Sequence, residues 1–136
     1  QAPLGFELVV PTADQGEQVW IYVQNASGAP LAVNQLQQRA ASSATYSVIV
    51  CGAVNPAQVV GLCVTAIPNG SFGFLLRKGI GTIVTAGAVT ANLGLKPGAG
   101  GTAIHAAAVD PACGNTLAGK AGAGAGTLSG YISCLG

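Results

Sequence analysis

The stretch AQVVGLCVTAIPNGSFGFLLRKGIGTIVT, residues 57–85, decides the fold. It is dense in Val, Leu, Ile and Phe, which favour a pleated, half-buried surface, and it is nearly free of charge. Two groups of turn residues divide it, because Pro presets φ and both Asn and Gly tolerate positive φ. The pattern predicts an antiparallel meander with strands at Val59–Ile67, Phe72–Arg77 and Thr82–Thr85 and turns at Pro68–Ser71 and Lys78–Gly81. Nothing in it resembles an active site, so we expect the protein to work through its surface.

Strand-like patterns continue on both sides of this meander. Residues 18–25 alternate, with Val19, Ile21 and Val23 on one face, which predicts a strand with one buried face. Further strands are predicted at Thr45–Val54, Val89–Leu95, Ile104–Val109 and Thr127–Leu135. Short strands separated by Gly and Pro turns at intervals of roughly 8–12 residues are typical of a sandwich or barrel. We therefore predict an all-β fold, a small antiparallel β-sandwich or barrel of about eight short strands.

The N-terminal segment, residues 1–11, differs from the rest. It has Pro at positions 3 and 11, and only Phe6–Val10 has the composition of a strand. We predict an extended arm over residues 1–11 and a single β domain over residues 12–136. The arm would lie on another surface or add a strand to one. The alternative is a simple edge strand of its own domain.

Charge is scarce in this chain. Asp, Glu, Lys and Arg make up 7% of the residues and the net charge is +1, whereas typical soluble domains are about 25% charged. Such a chain lacks the basic patches that bind phosphates or anionic lipids, so we expect neither nucleic acid nor a membrane as partner. A surface of small, uncharged residues is costly to leave in water, which indicates that other subunits cover much of it.

The four cysteines, Cys51, Cys63, Cys113 and Cys134, lack zinc-site spacing. They are interpreted first as small buried hydrophobic residues. Disulfides are the alternative, and Cys51 with Cys63 is the candidate pair. If Asn55–Val59 connects a hairpin, these two cysteines face each other across it, although Cβ atoms about 4.5–5.5 Å apart are somewhat wide for a bridge.

No residue pattern predicts catalysis. His105 is the only histidine, G-x-S-x-G is absent, and the four carboxylates have neither helical i, i+4 spacing nor the density that calcium needs. We expect no enzyme activity, no cofactor and no metal. A hydrolase built around His105 is kept only as a remote alternative.

The candidate interface residues are large or paired basic side chains: Leu4, Phe6, Trp20, Tyr22, Phe72, Phe74, Arg77 and Lys78. Rigid aromatic side chains are enriched at binding hot spots, although Trp20 and Tyr22 would equally suit a second layer of the same domain. Arg77 and Lys78, the only adjacent basic pair, are either a solvated turn end or a contact with an acidic patch on a partner.

One linear pattern points to a known family. Residues 59–62 (VVGL), 66–74 (AIPNGSFGF) and 79–81 (GIG), followed by 81–95 (GTIVTAGAVTANLGL) and 114–121 (GNTLAGKA), resemble small head proteins of tailed bacteriophages. These are the capsid decoration, or cement, proteins. The resemblance covers Val59–Ala121, nearly half the chain. The low charge and the four cysteines are not part of the pattern, which leaves open a related role such as a head fibre base.

The resemblance implies an all-β protein, usually a homotrimer, on the outer surface of the virion. Such a protein bridges neighbouring subunits of the major capsid protein and stabilises the shell by binding only its assembled form. The competing class is a secreted or cell-surface β-sandwich module of the adhesin or pilus type. The cysteines motivate it, and so does the lack of Met, from which we expect that an initiator or leader was removed or that residues before Gln1 were left out. A free-thiol count separates the two classes.

Overall fold

The fold is taken from a computed structural model, which describes residues 3–40, 45–52, 58–89, 94–106, 112–116 and 126–134. The described residues form strands β1 Glu7–Pro11, β2 Glu17–Asn25, β3 Leu36–Arg39, β4 Ser47–Val50, β5 Val59–Leu62, β6 Phe72–Thr85, β7 Gly94–Pro97, β8 Ala103–His105, β9 Gly114–Thr116 and β10 Gly126–Ser133, with a short 3₁₀ turn at Ala99–Gly101. The all-β prediction is confirmed. The sheet is mixed rather than wholly antiparallel, because β2 pairs with β4 and β6 with β8 in parallel. In these ranges no helix is long and apolar enough to span a membrane.

Strand β6 is shared by two rings of paired strands, which we call the first and second circuits. The sheet order is β1-β2-β4-β3-β5-β6-β10-β9-β7-β8, with additional pairings of β2 with β6 and of β6 with β8. The first circuit therefore runs through β2, β4, β3, β5 and the N-terminal half of β6. The second runs through the C-terminal half of β6, β10, β9, β7 and β8. Strand β1 lies outside both circuits and pairs with β2.

The buried side chains form two apolar cores: the first lies within the first circuit, and the second joins residues of the second circuit to residues of β3 and β5. The first core contains Ile21, Val23, Leu31, Val48, Val60, Cys63, Ile67 and Leu75. The second is larger and includes Leu36, Cys51, Val59, Leu62, Leu76, Ile83, Leu95 and Ile132. Successive side chains on a strand point to opposite faces, so the neighbours Leu75 and Leu76 enter different cores. The same holds for Val59 and Val60. This explains the continuous apolar runs at Val59–Leu62 and Leu75–Leu76, where both faces of the strand are buried.

The predicted turn at Lys78–Gly81 is wrong, because β6 continues through it from Phe72 to Thr85. Gly79 has φ +133°, a conformation that L side chains rarely adopt, and it lies where β6 passes from the first circuit to the second. Gly79 thus permits an unusual backbone conformation within one long strand. Gly61 is needed for a different reason: it allows β5 to lie close to β6. A Cβ at this position would lie only 2.9 Å from both the Leu75 Cβ and the Leu76 carbonyl oxygen.

Other boundaries also differ from expectation. The turn at Pro68–Ser71 is confirmed, with Gly70 at φ +77°, but β5 ends at Leu62 rather than Ile67. Residues 7–11 form β1 and pair with β2 of the same chain, as the edge-strand alternative requires. The division into an arm over residues 1–11 and a domain over residues 12–136 stays a prediction. Most of the possible hairpin connection at residues 55–59 lies outside the described residues.

The alternative disulfide between Cys51 and Cys63 is not present, and the four cysteines are free and buried. The hairpin that would have joined them does not form, because β3 lies between β4 and β5 and pairs with both. Cys51 belongs to the second core and Cys63 to the first. The interpretation as small buried hydrophobic residues therefore describes their environment.

Candidate functional site

The candidate site is an exposed sheet face on β1, β2 and β6, which we call the aromatic face. Residues that are paired across a sheet share a face, and the register pairs Leu8 with Trp20 and Tyr22 with Phe74. Phe6 lies opposite Tyr22, whose N–H donates to the Phe6 carbonyl at 2.9 Å. The aromatic face therefore consists of Phe6, Leu8, Trp20, Tyr22, Phe72 and Phe74.

Large apolar side chains on this face remain open to solvent. Phe6, Leu8 and Phe72 are 43%, 42% and 43% exposed. The Tyr22 ring stacks on Phe72 with centroids 6.0 Å apart and an interplanar angle of 12°, and it meets Phe74 at 5.1 Å in a tilted arrangement. These ring contacts hold the side chains in fixed positions, so a partner would meet a preorganised surface.

A groove borders the aromatic face on the side of the β5–β6 connection. It has a volume of about 300 Å³ and lies between Trp20, Phe72 and Phe74 on one side and residues 65–68 on the other. Trp20 also packs against the second core, so its ring position depends on that core. The groove is apolar and aromatic, a surface that binds by excluding water rather than by charge.

Asn25 fixes the position of residues 65–68, which line one side of the groove. It is fully buried, and its side-chain amide donates to the carbonyls of Ala29 and Ile67 at 2.8 Å each. Its carboxamide oxygen accepts the N–H of Ser27 at 2.9 Å, while its backbone N–H donates to Ser71 at 2.9 Å. The side chain thus ties the turn after β2 to the turn before β6. Because a buried amide with satisfied hydrogen bonds stabilises one arrangement of its partners, this residue positions the groove.

Five of the eight candidate interface residues are brought together by the fold: Phe6, Trp20, Tyr22, Phe72 and Phe74. Leu4 is partly buried and precedes β1. Sequence reasoning missed Leu8, Asn25 and the groove residues 65–68. The alternation at residues 18–25 was a usable signal for β2, but the contributions of β1 and β6 depend on long-range register.

Arg77 and Lys78 lie elsewhere and are not a solvated turn end, since both are inside β6. Arg77 is only 16% exposed in its side chain, and its Nε lies 2.9 Å from the Glu7 Oε2. With Val19 and Cys134 they line a separate cavity of about 320 Å³. The basic pair is thus partly neutralised within the chain, which weakens its case as a contact for an acidic partner.

The cysteine thiols are poor nucleophiles at neutral pH. Burial raises the pKa of Cys51 to about 12, with a further contribution from Cys113, and burial raises those of Cys63 and Cys113 to about 11. The pKa of Cys134 is raised well above its usual range by burial. Because the thiolate is the reactive form, these groups act as core side chains. In the described ranges no group of His, Cys, Asp and Glu has the arrangement of a metal site.

No protein-family model matches the chain, and no curated protein matches it. One solved structure with a similar fold is the crystal structure of the head fiber gp8.5 N base in bacteriophage phi29. It aligns with a TM-score of 0.60 over 84% of this chain and 94% of that chain, at 10% sequence identity. The two proteins therefore share a fold over the aligned part of each chain, although few residues are the same.

Proposed function

We propose that this chain is a structural, non-enzymatic protein of the outer surface of a tailed-phage head, where it acts as a capsid decoration protein. The observation that carries the proposal is the shared fold with a phage head fiber base over 84% of the chain. The motif resemblance in residues 59–121 supports the same class. A homotrimer is the assembly that the resemblance implies, and it stays a prediction.

The aromatic face is the surface we propose for binding the capsid. Its six side chains are uncharged, and the exposed ones form one contiguous patch on rigid strands. Exposed apolar patches on soluble proteins mark interaction sites, because burying them releases about 25 cal/mol per Å² of apolar surface. Contact with neighbouring subunits of the major capsid protein would bridge them, and binding only the assembled shell would stabilise it.

Binding to heads tests this proposal directly. Purified chain is mixed with expanded heads that lack it, from the phage that encodes it, and followed by co-sedimentation and by the melting temperature of the shell. We expect saturable binding and a higher melting temperature. Phe72→Ser should abolish both effects, whereas Val33→Ser should leave them unchanged, because Val33 is equally exposed at 46% but is not part of the aromatic face.

Absence of saturable binding by the unchanged chain would contradict the proposal. Equal loss by the two variants would instead contradict the assignment of the aromatic face. The buried free thiols give no support to a secreted or cell-surface module. A thiol count on the denatured protein checks this, since two disulfides would favour an oxidising compartment.

A further inference from the structure

Strand β1 leaves one backbone edge open. It is the terminal strand of the sheet and pairs with β2. The Tyr22 N–H donates to the Phe6 carbonyl, and backbone groups alternate in direction along an antiparallel strand, so those of Leu8 and Val10 also point to β2. The N–H and C=O groups of Glu7 and Val9 therefore point away from β2. No described residue bonds to them on that side.

The open edge is short and bounded at both ends. Pro11 has no N–H to offer. The Gly5 N–H is already used, because it donates to the Tyr22 carbonyl at 2.8 Å. This leaves Glu7 and Val9 as the two residues that can each give and accept a hydrogen bond. An extended backbone with the same spacing of donors and acceptors is the group that satisfies such an edge.

We propose that the occupant is a second copy of this chain, whose β1 pairs antiparallel with this edge about a twofold axis at Leu8. In that register Glu7 of one copy lies opposite Val9 of the other, and each such pair exchanges both of its backbone hydrogen bonds. Twofold symmetry makes the contact self-complementary, so one edge supplies every donor and acceptor that the other needs.

The side chains suit this register. Leu8 lies opposite Leu8, and Phe6 lies opposite Val10, so one face of the joined strands is wholly apolar. Phe6, Leu8 and Val9 are between 42% and 52% exposed in the single chain, which leaves apolar surface to bury. On the other face, Glu7 lies opposite Val9 and is already paired with Arg77, so no like charges lie directly opposite each other.

The neighbouring register is less favourable. Placing Val9 opposite Val9 would put Pro11 opposite Glu7, and the Glu7 carbonyl would face a residue without an N–H. The twofold axis therefore belongs at Leu8. This contact sets the two aromatic faces side by side on the same side of the extended sheet. It does not depend on the proposed function. It shares Phe6 and Leu8 with the aromatic face and leaves the part of that face on β2 and β6 uncovered.

Disulfide trapping tests the register. Two Leu8→Cys chains would have Cα atoms about 4.5 Å apart in a non-hydrogen-bonded pair, which is within disulfide range. Oxidised glutathione is the oxidant: two protein thiols form one disulfide while it is reduced to two glutathione molecules. The native thiols stay protonated and buried. We expect Leu8→Cys to run as a covalent dimer on a non-reducing gel.

Val9→Cys is the matched control. Val9 is more exposed than Leu8, 52% against 42%, but in this register its two copies lie diagonally and too far apart to bond. We expect it to stay uncrosslinked. Adding Val9→Pro to Leu8→Cys should remove the dimer, because Pro lacks the outward N–H, while the fold is kept because an edge strand tolerates Pro there. Circular dichroism checks the fold.

Equal cross-linking of the two cysteine variants would show random collision and overturn the proposal. So would cross-linking of Val9→Cys alone, or a dimer that survives Val9→Pro. The unmodified chain provides a second readout that does not depend on any variant folding. Hydrogen exchange at the Glu7 and Val9 amides should slow as the protein concentration rises. Unchanged exchange at these two amides up to millimolar concentration would also overturn it.

Discussion

Leu75 and Leu76 are adjacent in β6 but fill different cores, which makes them a test of how the two circuits are coupled. Their side chains are 0% and 1% exposed. Truncating a buried Leu to Ala removes its transfer free energy and leaves a cavity, so Leu75→Ala and Leu76→Ala should each lower the free energy of unfolding by about 2–5 kcal/mol. That is a large part of the roughly 5–15 kcal/mol by which a domain is stable.

The two variants should shift the same transition. Because β6 belongs to both circuits, unfolding of either circuit would remove a strand that the other one needs. Urea unfolding is followed by the fluorescence of Trp20, which packs against the second core, and by far-ultraviolet circular dichroism, which reports all strands. Leu75→Ala leaves a cavity in the first core. We nevertheless expect it to lower the urea midpoint seen by Trp20 fluorescence as much as the midpoint seen by circular dichroism.

Val33→Ala is the control for this experiment. Val33 is 46% exposed, so its truncation should change the free energy of unfolding by less than about 0.5 kcal/mol. Two separate transitions in Leu75→Ala, with the Trp20 midpoint still at its original urea concentration, would refute the coupling of the two circuits. That result would mean that the two cores unfold independently despite the shared strand.

Three further outcomes follow from the structure. Gly79→Ala should destabilise the chain by about 1–3 kcal/mol in urea unfolding, because φ is +133° there, whereas Gly87→Ala, which has nothing within 4 Å of its Cβ, should not destabilise it. The thiol contribution to the free energy of unfolding should be constant between about pH 7 and pH 8 and fall above about pH 9. The reason is that the thiol pKa values are raised in the folded state, so the unfolded chain loses those protons first. Thermal melts between about pH 7 and pH 10 check this, and a flat profile would contradict the burial of the thiols. Glu7→Gln removes the ion pair with Arg77 and should lower the free energy of unfolding by about 0.2–1 kcal/mol at low salt. The loss should be smaller at high salt, because the Glu7 side chain is 49% exposed and salt screens the pair. An equal loss at both salt concentrations would show that the ion pair is not the cause.

The fold class could be predicted because turn chemistry and alternation are local signals. Pro68–Ser71 contains residues that favour a turn, and the turn is present. Ile21 and Val23 alternate as a half-buried strand requires, and both are buried. The parallel pairing of β2 with β4 could not be predicted in this way. Which strands become neighbours depends on contacts throughout the sheet, and a local sequence pattern does not contain that information. The continuity of β6 through Gly79 was missed for a related reason: glycine favours turns and bent strands alike.

The candidate site was predictable only in part. Trp20 and Tyr22 are two residues apart on one strand, so the alternation of side chains predicts that they share a face. That Phe6, Phe72 and Phe74 join them depends on which strands flank β2, and this is a long-range property. The alternative pairing of Cys51 with Cys63 fails for the same reason. Nothing between Cys51 and Cys63 indicates that β3 would take the place between their strands.

The position of β6 in the chain has a consequence for synthesis on the ribosome. Every other strand of the first circuit precedes β6, and every other strand of the second follows it. The first circuit can therefore close as soon as Thr85 has emerged, while the second must wait for β10, at the end of the described chain. Until then the C-terminal half of β6 lacks the neighbours that will cover it, so translation speed over residues 86–133 should govern how much nascent protein aggregates.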